Sequence, residues 1–309
     1  MPKAKEPDFL IVGLEKSGTH WVSGLLNAHP EVACIPFKAL FGWQEKYQQE
    51  FFGEVHLFNT LGSLEPGNEE KFSRPLSNFL ERNNKFFAEQ AALEGKIPKA
   101  ELYKKFIERY NELCDMHRRG KKLVGESTPA YIFYLDFIDS FYPGIKKLCI
   151  IRDPKDRVVS WNFNQIRKGR KKEMEISDEF ALEYCRTRIM KEYEAMLAYQ
   201  GHIHCLTYES LSIAPQEAVK GILEYLGTDS SLPLIDRMVA EAAFEKVSNQ
   251  DNNQEGRKKG EELIMSHYRK GIAGDWKNYL TGKQAELIDN LVGELQQQVF
   301  NKYKVITYK

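Results

Sequence analysis

Residues Phe9 to Leu26 read FLIVGLEKSGTHWVSGLL: an apolar run, a turn holding Gly13 and Gly18, then apolar positions at helical spacing. An apolar run without polar alternation fits a strand covered on both faces. A turn between such a strand and a helix aims backbone N–H groups and the positive helix end at one point, which favours a phosphate. An ordinary strand–turn–helix, using its glycines for geometry alone, gives the same pattern. Lys16 and the hydroxyls of Ser17 and Thr19 tip the balance by adding charge and donors. The spacing approaches the nucleotide-triphosphatase loop G-x-x-x-x-G-K-[ST]. Gly13 and Gly18 fit, but Thr19 and His20 stand where the lysine and the metal-binding hydroxyl belong, and the lysine comes earlier, at position 16. A kinase or ATPase built this way lacks its metal anchor. Trp21 serves either the core or as a surface on which a base stacks.

Three more apolar runs, Lys122–Gly125, Lys147–Ile151 and His202–Thr207, read as strands. Helical periods fall at Gly18–Ala28, Ala100–Arg118, Lys155–Ile166, Asp178–Tyr199, Gln216–Leu226 and Lys283–Tyr303. Strands alternating with helices predict an α/β fold with a central parallel sheet and right-handed crossovers. Residues 37–98 mix aromatics, glycines and charges without a clean period, and read as an insertion or lid rather than a second domain. Residues 249–262, NQDNNQEGRKKGEE, are polar and punctuated by glycine, and read as a mobile loop.

Size and composition agree with one large domain. The chain has 309 residues, 42% hydrophobic and 28% charged, enough for a sizeable core. Its 44 basic and 44 acidic side chains cancel, so no overall field attracts nucleic acid or an anionic membrane. The longest apolar stretch, Phe9 to Leu14, is too short to span a bilayer. The start, MPKAKEPD, lacks the apolar core of a secretory signal, and Pro2 stands where myristoylation needs glycine. Cys34, Cys114, Cys149, Cys185 and Cys205 form no close pair, against a zinc knuckle or a disulfide framework. The expectation is a cytoplasmic protein with reduced thiols and neither nucleic-acid nor membrane partners. No self-complementary face in the sequence marks an oligomeric state.

Two further basic clusters follow strands or turns. IRDPKDRVVSW places Arg152 at a strand end, Pro154 at a helix start and Ser160 about two turns into the helix, so a guanidinium fork and a hydroxyl can share a second phosphate. An Asp-Pro cap with a surface arginine is the alternative. YRKGIAGDWK, Tyr268 to Lys277, sets Arg269 and Lys270 beside Gly271 and Gly274. A solvated basic turn anchored by Trp276 is the alternative there. Together the clusters suit one ligand with phosphates at two ends.

At these residues the chain resembles the sulfotransferases that use 3′-phosphoadenosine 5′-phosphosulfate (PAPS). KSGTHW at 16–21 is similar to their 5′-phosphosulfate loop, RDPKDRVVS at 152–160 to their 3′-phosphate motif, and RKGIAGDWK at 269–277 to the C-terminal signature of the cytosolic branch. The three occur in the family's order and cover essentially the whole chain. The resemblance implies a single P-loop-like α/β domain over 1–309, PAPS as cofactor, 3′-phosphoadenosine 5′-phosphate (PAP) as product, and no metal. It implies that Lys16 contacts the 5′-phosphosulfate and stabilises charge on the leaving phosphate. Ser17, Gly18 and Thr19 bind the 5′-phosphate, and Trp21 stacks on adenine. Arg152 and Ser160 take the 3′-phosphate, with Arg269, Lys270 and Gly271 closing over it. Tyr208 and Phe244 match family aromatics near the base. His20 departs from the family's second threonine, and leaves one 5′-phosphate contact without its usual hydroxyl.

Sulfuryl transfer asks the protein to position the acceptor, stabilise the leaving phosphate and take a proton. The cytosolic branch places a histidine for that proton in a KTHLP-like stretch, where this chain has GESTP at 125–129. GESTP is more similar to the EKTP-like pattern of carbohydrate sulfotransferases, with Ser127 in place of the lysine. Glu126, at a strand end where open α/β sheets carry their sites, is one candidate base; a carboxylate orienting phosphate-site cations or capping a helix is the alternative. FFGEVHLF resembles the EVHFF stretch of the carbohydrate branch, which makes Glu54 a second candidate, with His56 competing. The expected reaction is in-line sulfuryl transfer to a hydroxyl or amine of a small-molecule acceptor. A metal-dependent nucleotide kinase and a non-catalytic nucleotide-binding protein are the alternatives. Phe37, Phe41, Trp43, Phe51, Phe52 and Phe58 either line an acceptor pocket or pack the core.

Overall fold

Apolar strands need cover on both faces, and two sets of helices supply it. The structure, a computed structural model, describes residues 4–35, 54–65, 76–83, 86–248 and 257–308. Strands β1 (Phe9–Gly13), β2 (Val32–Ile35), β3 (Leu123–Ser127), β4 (Lys146–Ile151) and β5 (His204–Thr207) form one all-parallel sheet in the order β2-β3-β1-β4-β5. This is the P-loop-like arrangement. The chain leaves β1 for the β2 edge, returns to β3, then crosses to β4, so its direction of travel reverses around the C-terminal end of β1. A crevice opens at such a point.

Side chains alternate across a strand, and β1 divides accordingly. Leu10 and Val12 face a core built with the helices Lys99–Arg118 and Gly282–Tyr303. Phe9 and Ile11 face a second core with Thr19–Asn27, Pro215–Leu226 and Leu232–Glu241. All four are 0% exposed. The long C-terminal helix starts from a capping box, Thr281 with Gln284. Among the described residues no helix is long and apolar enough to cross a membrane.

Four strands fall where the apolar runs predict them, within a residue or two at each end. β2 was not predicted: VACI is four residues long and half of it is Ala and Cys. The helical period over Asp178–Tyr199 is one run interrupted by a π-helical stretch at Cys185–Met190. The described part of 37–98, expected as an insertion or lid, contributes to the core. Val55, Leu57, Phe58, Leu61, Phe79 and Phe87 are each 0% exposed and pack with Phe106 and Tyr110 in the first core. Phe37, Phe41, Trp43, Phe51 and Phe52 lie outside the described residues, as do 249–256 of the expected mobile loop. Its remainder is knitted by Arg257, whose guanidinium donates to the carbonyls of Glu261 (3.1 Å), Arg269 (2.8 Å) and Tyr268 and to Ser266 Oγ (3.1 Å).

Candidate active site

The loop after β1 turns through backbone conformations with φ of 124° at Gly13, 68° at Lys16 and 103° at Gly18. Glycine is also forced sterically at two of these. A Cβ on Gly13 would stand 2.5 Å from Cys149 Sγ, and one on Gly18 would stand 2.8 Å from the Tyr208 ring. The helix then begins at Thr19, with the Gly18 carbonyl accepting from Trp21 N and Val22 N, so its positive end stands at the loop. Ser17 is fully buried, and its Oγ has no hydrogen-bond partner among the described residues. Burial lowers the Lys16 ammonium to a pKa of about 8; Glu15 and Glu54 act to raise it, Arg167 and Lys168 to lower it.

Asp153 caps the next helix by accepting from Lys155 N at 2.9 Å, with Pro154 in its first turn, and this fixes Arg152 at the end of β4. Arg152 Nη2 donates to Ile272 O at 3.0 Å, and its guanidinium lies 4.3 Å from the centre of the Tyr208 ring. Arg152 Nε is buried without a partner among the described residues. Asp156, 1% exposed, accepts from Gly274 N at 2.7 Å and Trp276 N at 2.8 Å. That carboxylate therefore locks the C-terminal basic strap against the Arg152 turn. Within the strap, Arg269 donates to Glu262, Asp275 and the Tyr279 hydroxyl, and Lys270 Nζ donates to Asp275 at 2.9 Å. Burial works against charge on Asp275, yet bonds from Lys270, Asn278 and Arg269 prevail and hold its carboxyl below the usual range. Gly271 (φ 70°) lies against Phe244, whose ring a Cβ would meet at 2.2 Å.

One cleft of about 1120 Å³ is lined by Lys16, Gly18, Thr19, His20, Trp21, Glu54, Arg152, Ser160, Tyr208, Phe244, Arg269, Lys270 and Gly271. Ser17 lies beneath its floor. Trp21 meets Tyr208 edge-on at 5.3 Å, and His20 meets His267 of the strap at 4.6 Å. Glu54 Oε2 pairs with His56 Nε2 at 3.0 Å on the cleft wall.

Glu126 does not reach this cleft, which corrects its candidacy as the base. It is 0% exposed. Its Oε1 accepts from Val55 N (3.0 Å) and Thr128 Oγ1, and its Oε2 from the hydroxyls of Tyr110 (2.7 Å) and Tyr131 (3.0 Å). Burial raises its pKa, and those hydrogen bonds oppose the rise. Both oxygens are committed, and one of them holds the backbone of Val55, which lies between Glu54 and His56.

Residues 6–300 match the family described as the sulfotransferase domain. The chain belongs to the sulfotransferase family. It is 26% identical over 312 residues to cytosolic sulfotransferase 17 of Arabidopsis thaliana, covering 94% of this chain and 75% of that protein. It is 28% identical over 207 residues to a flavonol sulfotransferase-like protein of Flaveria bidentis, covering 61% and 66%. In fold it is similar to a mouse sulfotransferase solved with PAP, with TM-score 0.57 and 17% identity over 98% of this chain and 90% of that one. It is also similar to a sulfotransferase from Alicyclobacillus acidocaldarius, with TM-score 0.50 and 18% identity over 94% and 96%. As a member of the family it is a PAPS-dependent enzyme of sulfuryl transfer. Neither the kinase nor the non-catalytic alternative finds support in these matches.

The sulfotransferase's own residues fit such a cofactor. Buried donors at Ser17 Oγ and Arg152 Nε without partners among the described residues, a glycine cradle and a half-buried ammonium are what a ligand with phosphates at two ends satisfies. Asp156 escaped the sequence reading because its partners lie 118 and 120 residues away. Asn164, Arg167 and Lys168 escaped it too, although with Ser160 they stand at i, i+4, i+7 and i+8, one face of one helix. Asp156→Asn replaces one oxygen with a donor facing an N–H. We expect PAP affinity to fall about tenfold, as loss of a buried charged hydrogen bond implies, with faster hydrogen exchange at the Gly274 and Trp276 amides. Unchanged affinity and exchange would remove Asp156 from the site's scaffold.

Proposed function

We propose that this sulfotransferase acts on a hydroxyl or amine of a small-molecule acceptor, with Lys16 at the transfer point and Glu54 as the base. The observation that carries the reading is the convergence of three sequence-distant basic clusters on one cleft, with Lys16 at its floor and the Glu54–His56 pair on its wall. Ser17 Oγ and the N–H groups from Gly18 to His20 bind the 5′-phosphate, and Arg152 Nε with Ser160 the 3′-phosphate. Trp21, Tyr208 and Phe244 bound the base. Lys270 and Gly271 close the strap over the nucleotide, while Arg269, committed to Glu262, Asp275 and Tyr279, holds the strap's own shape. Bound there, PAPS supplies an activated sulfuryl group that leaves its 5′-phosphate. Lys16 Nζ meets the charge growing on that phosphate. A Glu54 carboxylate oxygen takes the proton that the acceptor loses. A cytoplasmic location follows from the same reading, supported by five cysteines that remain buried thiols and by relatives named as cytosolic.

Calorimetric titration tests the cofactor assignment, with PAP in metal-free buffer against ADP with magnesium. We expect PAP to bind, ADP not to compete, and Arg152→Ala to weaken PAP by roughly 10- to 100-fold, the worth of charged hydrogen bonds. Preference for ADP with magnesium would overturn it.

A further inference from the structure

Beyond Lys16, the cleft continues along a wall that none of the nucleotide roles uses. The helix Pro154–Arg167 is its ruler. Ser160 faces the nucleotide, and Arg167 lies seven residues further along the same face, about 10 Å at 1.5 Å per residue. Asn164, Arg167 and Lys168 line that stretch with Trp161. Arg188 joins them from the π-helical stretch Cys185–Met190, a kind of irregularity often found at functional sites. Its guanidinium lies 5.7 Å from the centre of the Trp161 ring, which stacks on Tyr184 at 5.2 Å and 15°.

Cations at a helix C-terminus commonly serve only the helix dipole. Three observations go further. Arg188 comes from a different element, so the group is not one helix end. Among the described residues no carboxylate forms an ion pair with Arg167 or Lys168; Arg167 donates to Asn164 Oδ1 at 2.9 Å. And Arg167, Lys168, Arg170 and Arg188 line the cleft with Glu15 and Glu54 as the carboxylates acting on Lys168, a local excess of cations in a chain that is neutral as a whole, 44 charges against 44. Arg167 and Lys168 also lie close enough to act on the field at Lys16, opposite Glu54.

We propose that the acceptor is itself an anion: besides the hydroxyl or amine that takes the sulfuryl group, it carries a carboxylate, sulfate or phosphate, held by Arg167, Lys168 and Arg188 beside the Trp161 ring. The inference rests on the sulfotransferase reading. Like charges on donor and acceptor repel at the transfer point, and the cations along this wall offset that repulsion. A half-buried guanidinium and a neighbouring ammonium give the fork and the point charge that planar carboxylates and phosphates bind.

The test measures kcat/KM with PAPS for matched probes. 4-Hydroxyphenylacetate and 4-hydroxyphenyl phosphate are set against methyl 4-hydroxyphenylacetate, and glucuronate and glucose 6-phosphate against glucose. We expect at least one anionic probe to exceed its neutral partner tenfold or more, the carboxylate and phosphate arms showing which anion is read. The advantage should collapse in the double variant Arg167→Gln/Lys168→Gln and shrink with added salt, while PAP affinity stays within threefold and reports an intact fold. Neutral probes equal to or better than the anions, no turnover of any anionic probe, or a preference that survives the double variant would each overturn the proposal. Failure of the unaltered protein to bind PAP would instead sink the sulfotransferase reading beneath it.

Discussion

We expect Lys16→Met to remove about a hundred- to a thousandfold of kcat and much less of PAP affinity. In the proposed mechanism Lys16 is the cation that meets charge developing on the leaving phosphate, and removing one such preorganised donor costs about 2.7–4 kcal/mol of transition-state stabilisation. The ground-state ligand keeps Ser17, Arg152 and the helix N-terminus, so its binding suffers less. Burial supplies a second signature, because it places the Lys16 ammonium at about 8. The sign follows from which form works: the protonated form binds the anion, so kcat/KM for PAPS falls as pH rises through about 8 in the free enzyme. Bound phosphates favour the charged form, so kcat itself holds to higher pH. Steady-state kinetics between pH 6.5 and 9.5 check both, and Lys16→Met should lose the alkaline limb along with the rate. A variant retaining more than a tenth of wild-type kcat would show that another group carries the leaving charge.

Lys16, the two loop glycines and the strand before them were legible because the signal is local: an apolar run, a turn and a cation within a dozen residues. The same holds for Arg152 with Pro154 and for the Arg269–Gly271 strap. What was not legible depends on convergence in space. Glu126 sits at a strand end on the sheet edge that carries the site, the right place for a base by pattern. The pattern does not disclose that Tyr110 and Tyr131 close over its second oxygen. Arg269 reads as a phosphate ligand from its motif, whereas its guanidinium is spent on Asp275, six residues on, and on Glu262. β2 fails for a different reason: pairing with β3 alone, its four residues gain their order from the sheet rather than from propensity.

Glu54 lines the cleft and Glu126 is sealed beneath it, which makes the second large effect a contrast. Glu54→Gln keeps the shape and the polar contact but cannot accept the acceptor's proton. General-base catalysis contributes about 10²–10⁴, so kcat falls by that order while PAP affinity stays near wild type. His56, paired to Glu54 at 3.0 Å and 5% exposed, holds the carboxylate from a left-handed backbone position (φ 63°) at the start of the helix Leu57–Gly62. His56→Asn therefore lowers kcat by a smaller factor, through misplacement of Glu54. Glu126→Gln acts one layer deeper. Its amide nitrogen turns a donor toward donors, at about 1–3 kcal/mol for each group left without a partner, so it lowers Tm and loosens Val55, with a kcat loss below that of Glu54→Gln. Single-turnover rates and PAP titrations on the three variants separate these roles. If His56→Asn rather than Glu54→Gln removes the larger factor, the imidazole takes the proton. If Glu54→Gln turns over like the wild type, the carboxylate is a structural partner of His56 and the base lies elsewhere in the cleft.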